Sequence, residues 1–244
     1  MSAKNLENTS FRMGIRDGLP ICLGYLSVSF AFGIFATGAG LSVYEALLIS
    51  MLNVTSAGQL AAVPIIASMG SFLELALTQL VINLRYALMS VSLSQKLGES
   101  VRMRDRFLIS FVNTDEVFAV SSGKEGRVGR KYMFGLILTP YVGWSLGTLL
   151  GAVAGNILPA LLISALGIAI YAMFTAIVVP FAKSGLKPFL CVATAAFISL
   201  LLFYVPIFDS LSSGFKIIIT AVVTSLVFAL VAPIEESEED AENE

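Results

Sequence analysis

The sequence predicts an all-α fold, a polytopic helical bundle embedded in a membrane. Three observations carry this. Of 244 residues, 57% are hydrophobic and only 13% charged, against roughly 25% charged in an ordinary soluble domain. The mean hydropathy is +0.87. Seven apolar stretches approach the about 20 residues that a helix needs to cross a bilayer: 19–40, 42–69, 71–95, 131–155, 157–182, 187–206 and 213–232. A soluble globule of this composition would expose large apolar patches and aggregate. Lipid removes that penalty when helices satisfy the backbone internally.

The elements follow in order. Residues 1–18 are polar, with Arg12, Arg16 and Asp17, and no cleavage site follows them, so no cleavable signal peptide is expected. The stretches 42–69 and 71–95 open on Ser42-x-x-Glu45 and Ser71-x-x-Glu74, the pattern of a capping box. An eighth, shorter stretch, 106–121, is interrupted by Asn113, Asp115 and Glu116. Pro159 and Pro188 suit the first turn of a helix, with Asn156 as an N-cap for the stretch 157–182.

These starts expose an internal repeat at an offset of 114. Ala46-Leu47-Leu48-Ile49-Ser50-x-Leu52 recurs as Ala160-Leu161-Leu162-Ile163-Ser164-x-Leu166. Ser29, Gly33 and Thr37 fall on Gly143, Gly147 and Gly151. One transport domain over 19–232 is expected, in halves 19–121 and 131–232, ahead of an acidic disordered tail at 233–244. Gly143, Gly147, Gly151 and Gly155 form a ladder on one helix stripe, where another backbone can approach closely, within the chain or at a subunit interface.

Charge sets the expected topology. The tail holds seven of the 17 acids. Eight of the 15 bases lie in 96–131, which places both ends of the stretch 106–121 on the cytoplasmic side. Seven crossings fit an inverted repeat but put Arg12 and Arg16 outside. A re-entrant hairpin at 42–69 would bring them inside. Seven is the expectation. Histidine is absent, which removes His-ligated metals and Ser-His or Cys-His catalysis. Cys22 and Cys191 lie in apolar runs without metal-type spacing. No P-loop, basic aromatic stripe or nucleophile–base pair occurs. No metal, cofactor, ATP hydrolysis, nucleic-acid partner or enzymatic activity is therefore expected.

A charge at the centre of a membrane helix costs about 2.5–3.5 kcal/mol on insertion scales. Arg85 lies eleven residues before Lys96, roughly 16 Å along a helix, too deep to snorkel easily. Glu74 shares its helix face but sits three turns away, so Asp115 and Glu116, on another segment, are the better candidate partners, with a structural ion pair and a substrate or proton role both open for Arg85. Glu45 and Glu74 read as caps that could also compensate charge. Asn53-Val54-Thr55-Ser56-Ala57-Gly58-Gln59 interrupts an apolar stretch with polar and small residues. Such a break exposes one helix end with free N–H groups, suited to an anion, and one with free C=O groups, suited to a cation. An amino acid carries both charges. Asn53, Thr55, Ser56, Gly58, Gln59, Asn83 and Arg85 are thus candidate substrate-binding residues. Asp115, Glu116, Glu45 and Glu74 are candidate proton-coupling or charge-compensating groups.

Several spaced motifs now coincide: Gly14-Ile15-Arg16-Asp17-Gly18-Leu19-Pro20, Gly40-Leu41-Ser42-x-x-Glu45-Ala46, Thr55-Ser56-Ala57-Gly58-Gln59-Leu60-Ala61, Asn83-Leu84-Arg85-Tyr86-Ala87-Leu88-Met89-Ser90 and Asp115-Glu116-x-Phe118-Ala119. In this order they resemble the AzlC/YgaZ-type large subunits of the branched-chain amino acid exporter family, over nearly the whole chain. The resemblance implies an energised exporter of valine, leucine, isoleucine and, in some members, methionine. It also implies a plasma (inner) membrane location and a small AzlD-type membrane subunit as partner. The acidic tail is expected in the cytoplasm. The competing expectation is a non-transporting scaffold that assembles a partner through the Gly143–Gly155 ladder.

Overall fold

The structure, a computed structural model, describes residues 10–159, 161, 168, 172, 175 and 178–232. Nine α-helices have both ends defined among them: α1 (Phe11–Gly38), α2 (Val43–Leu52), α3 (Ser56–Ala67), α4 (Phe72–Lys96), α5 (Met103–Phe111), α6 (Asp115–Ser122), α7 (Arg130–Gly155), α8 (Leu186–Tyr204) and α9 (Ser213–Val231). Five are long and apolar enough to cross a membrane: α1, α4, α7, α8 and α9.

The caps follow the sequence closely. Ser42 and Glu45 form the complete capping box of α2. At α4 only half of the expected box forms. Ser71 Oγ accepts from Glu74 N at 3.1 Å, but the Glu74 carboxylate accepts from Gly214 N at 3.0 Å instead and fastens the start of α9 to the start of α4. Asn156 is the C-cap of α7 rather than the N-cap of the next helix. Its amide donates back to Ala152 O, so the side chain ends one helix instead of opening another. Pro188 lies in the first turn of α8, as expected.

α1 and α7 form the pillar of the bundle. A Cβ at Gly143 would lie 2.7 Å from Cys22 O, and one at Gly18 would lie 2.9 Å from Leu136 O. Gly14 faces Tyr132 O, Gly147 faces Leu26 O, and Gly151 faces Phe30 O, each too closely for any side chain. Along these pairs the residue numbers rise together, so the two helices run parallel. The glycine ladder is therefore filled by α1 of the same chain. It offers no face to a partner, which removes the basis of the scaffold expectation. Parallel packing also excludes an inverted repeat that equates α1 with α7. Most of the second copy of the motif, 160–166, lies outside the described residues, as do the stretch 157–182 for the most part and the tail 233–244.

The largest difference from expectation is at 42–69, which folds back on itself instead of crossing. α2 and α3 are about 15 and 18 Å long, too short for a bilayer core of about 30 Å. Ala46 of α2 and Val63 of α3 share a buried cluster with Phe32, Ala36, Leu41 and Ala152. Phe32 and Ala36 belong to the far end of α1, Ala152 to that of α7 and Leu41 to the link that follows α1, so α2 leaves that end and α3 returns to it. The expected crossing at 42–69 gives way to a fold-back because the polar run 53–59 is a turning point.

The short stretch 106–121 folds back as expected, from the opposite end. Asp105 at the start of α5 pairs with Arg130 at 3.0 Å. Lys124, just beyond α6, pairs with Asp17 at 2.7 Å. Gly98 N donates to Val128 O at 2.9 Å. The C-terminal end of α4 thus lies level with the N-terminal ends of α1 and α7, and α4 runs antiparallel to both. α9 packs on α4 and α3, and α8 packs on α9.

Two pairs of variants test this packing. A branched side chain at Gly151 meets the Phe30 carbonyl, so Gly151→Val should destabilise the detergent-solubilised protein by ~1–3 kcal/mol or more. Gly38→Ala, with nothing within 4 Å, should leave the unfolding temperature unchanged. Glu74→Ala strands the buried Gly214 N–H and should cost about 1–3 kcal/mol. Glu74→Gln keeps an acceptor and should stay near the parent in the same thermal-unfolding assay.

Candidate functional site

The two re-entrant pairs point their tips at each other from opposite ends of the bundle. Between the tips lies a cavity of about 600 Å³. Val54, Thr55, Ser56 and Ala57 line it from the first pair, and Thr114, Asp115 and Glu116 from the second. α1 contributes Ile21, Tyr25 and Val28, α4 contributes Ile82, Arg85 and Tyr86, and α7 contributes Trp144.

The local sequence explains both breaks. Asn53 ends α2 in a non-helical conformation, and Thr55, extended, opens α3 with its Oγ1 accepting from Gly58 N at 3.2 Å. Thr114 repeats this at α6, accepting from Val117 N at 3.4 Å. Both half-helices therefore present N-terminal, partially positive ends to the cavity. They differ in one respect. The first turn of α6 carries Asp115 and Glu116, whereas that of α3 carries no acid. The α6 end is answered by its own carboxylates. The N–H groups of Ser56 and Ala57, which precede the first intrahelical bond, are left for an anion.

Arg85 Nη1 pairs with Asp115 Oδ2 at 2.8 Å, and both side chains are about half exposed. The guanidinium also donates to Tyr86 OH at 3.0 Å and lies 4.8 Å from the centre of that ring. Tyr25 OH donates to Glu116 Oε2. The expected match between Arg85 and the acidic pair is therefore met by Asp115, while Glu116 faces a tyrosine.

The other expected residues divide by position. Thr55 and Ser56 line the cavity. Gly58, Asn53 and Asn83 lie behind it, joined through Gln79. Asn53 Nδ2 and Asn83 Nδ2 donate to Gln79 Oε1 at 2.9 and 3.1 Å. Gln79 Nε2 donates to Gly58 O at 2.8 Å. A side chain at Gly58 would strike Gln79 Oε1, so glycine lets α4 hold the break. Gln59 is buried, with Oε1 accepting from Ser50 Oγ at 3.3 Å. Ser50 is 2.6 Å from Thr148 Oγ1, and Tyr141 OH donates to Met51 O at 3.1 Å, fixing α2 to α7. Glu45 and Glu74 do not join the site. Glu45 caps α2 at the surface, and Glu74 caps α9. Helix termini, not the cavity, claim their charge.

Sequence reasoning missed Tyr25, Tyr86, Trp144 and Gln79. Gln79 had a signal: it sits four residues before Asn83, on the same helix face. Tyr86 adjoins Arg85. Tyr25 and Trp144 are embedded in apolar runs, and only their spatial approach, ring centres 4.9 Å apart in an edge-to-face arrangement, reveals them.

The site can be set beside known proteins. The family model described as AzlC protein matches residues 20–158, which include the whole of both re-entrant pairs and every cavity residue named above. The inner membrane protein YgaZ of Escherichia coli is 31% identical over 211 residues, covering 82% of this chain and 85% of that protein. A membrane protein of Archaeoglobus fulgidus, described as uncharacterized, is 34% identical over 176 residues, 71% of this chain and 77% of its own. A third, likewise uncharacterized, from Helicobacter pylori, is 26% identical over 153 residues, 60% of this chain and 66% of its own. No solved structure matches. With five apolar helices of spanning length and a family match over more than half its residues, this chain belongs to the AzlC family of membrane proteins.

Proposed function

We propose that this protein is the large subunit of a secondary exporter of branched-chain amino acids, with the cavity between the two half-helix tips as its substrate site. The choice of valine, leucine, isoleucine and methionine, the outward direction and a small AzlD-type partner rest on the family. One observation carries the site itself: an anion-accepting helix end, a cation and two carboxylates converge on a single cavity whose remaining lining includes Ile21, Val28, Val54, Ile82 and Trp144. Its volume of about 600 Å³ falls within the ~300–1,000 Å³ of small-molecule sites. In the proposed complex the substrate carboxylate takes the Ser56 and Ala57 N–H groups and the Arg85 guanidinium. The ammonium takes Asp115 or Glu116, and the aliphatic side chain packs on the apolar lining. Asp115 and Glu116 are the proposed proton-coupling groups, since both carboxylates line the cavity.

Sidedness follows from charge. Arg12, Arg16, Lys96, the seven bases from Arg102 to Lys131, Lys183 and Lys187 belong to one end of the bundle. The positive-inside rule makes that end cytoplasmic. The chain passes from one end to the other between Gly155 and Leu186, which brings the proposed total to six crossings, with both termini, and hence the acidic tail, in the cytoplasm.

In proteoliposomes containing both subunits, counterflow of labelled leucine should fall at least about tenfold in Arg85→Ala, Asp115→Asn and Glu116→Gln, a loss of ~1.4 kcal/mol or more in each. Unaltered rates in all three folded variants would place the site elsewhere. With Cys22 and Cys191 replaced by alanine, Lys183→Cys should react with a membrane-impermeant maleimide only in inside-out vesicles, and Asp209→Cys only in right-side-out vesicles.

A further inference from the structure

The proposed complex leaves one polar group of the cavity without a task. Trp144 lines the cavity and is 2% exposed, yet its Nε1 has no hydrogen-bond partner among the described residues. The other buried side-chain polar atoms in that position, on Gln59, Thr78, Asn83, Asn113, Ser212 and Thr224, belong to residues outside this cavity. Packing alone does not call for an indole here. The edge-to-face contact with Tyr25 needs an aromatic ring, and phenylalanine would supply one. A buried donor left unpaired destabilises the fold, so an indole at this place calls for an acceptor.

We infer that Trp144 is a ligand-binding residue whose indole N–H donates a hydrogen bond to a carboxylate oxygen of the transported amino acid. The inference rests on the cavity being an amino acid site, as proposed above. The indole N–H only donates. Neither the ammonium group nor the aliphatic side chain of a branched-chain amino acid can accept, which leaves the carboxylate. The surroundings agree. Arg85 and the N-terminal end of α3 line the same cavity and favour an anion, whereas Asp115 and Glu116 repel one. Tyr25 OH is already engaged by Glu116, so within the Tyr25–Trp144 pair the indole and not the phenol is the donor open to the ligand.

Trp144 is the single tryptophan of the chain, so the indole emission of the purified full-length protein reports on this group alone. Leucine should change that emission saturably. Isoamylamine, which keeps the ammonium and the branched chain but lacks the carboxylate, should change it far less. In Trp144→Phe, half-saturation by leucine, read by thermal shift and by counterflow, should rise about tenfold while that of isoamylamine stays within about twofold. Leucine binding equal to the parent in a folded Trp144→Phe protein overturns the inference and leaves the cavity reading intact. Absence of any leucine response in the parent, by emission, thermal shift and counterflow alike, overturns both. Should Trp144→Phe fail to fold, the parent's emission decides: equal responses to leucine and isoamylamine would end the proposal.

Discussion

A bilayer core has no water to hydrogen-bond a stranded N–H or C=O group, and among the described residues four short helices of this membrane protein end midway along the bundle. The surrounding structure is organised to meet that demand. Thr55 and Thr114 cap the inner ends of α3 and α6. Tyr141 reaches from α7 to a carbonyl of α2. Gln79 holds both sides of the first break, at Asn53 and Gly58. The polar residues of an otherwise apolar sequence gather here because here the backbone needs them. The cavity is where protein partners run out, and its proposed occupant supplies what α3 lacks and α6 already owns.

Two breaks facing each other require something rigid between them, and α1 with α7 provides it. Glycine against carbonyl over the length of the contact brings the two axes close without side chains to adjust. Each re-entrant pair leans on this pillar differently. The first is sunk into it, with Gly58, Gln59, Ala61, Ala62, Val63 and Ile65 of α3 all buried. The second has a shallow footing, with Phe107 and Leu108 of α5 exposed. Its base is tied by Asp105 to Arg130 and by Lys124 to Asp17. Asp105 is only 2% exposed, so its charge depends on Arg130 and on the Arg102 N–H that it accepts at 3.0 Å. Removing one partner from such a buried pair is far more damaging than never having built the pair.

The charged residues show how one side-chain type takes on different duties according to depth. Glu45 and Glu74 sit at helix starts near one end of the bundle and answer backbone N–H groups. Asp115 and Glu116 also occupy a helix start, but midway through the bundle, where a cation and a phenol meet them. Arg85 has the complement it requires in Asp115 and a second contact in Tyr86.

The membrane-embedded helical class, most helix starts, the fold-back of 106–121 and the pairing of Arg85 with an acid of the 115–116 pair were legible in the sequence. These depend on composition, on local capping chemistry and on the cost of a lone charge in lipid, all readable one segment at a time. It also marked the break at 53–59 but not the direction the chain takes beyond it, because a turning point and a kink have the same local composition. The charges of Arg12 and Arg16 left a fold-back of 42–69 open and the spacing to Asn83 hinted at Gln79, but the choice of the fold-back, the parallel run of α1 beside α7 and the roles of Tyr25 and Trp144 came only with the packing of the bundle. Each depends on which surface meets which across the bundle, and apolar segments of similar hydropathy do not encode that choice until their small residues and orphaned polar atoms are brought into contact.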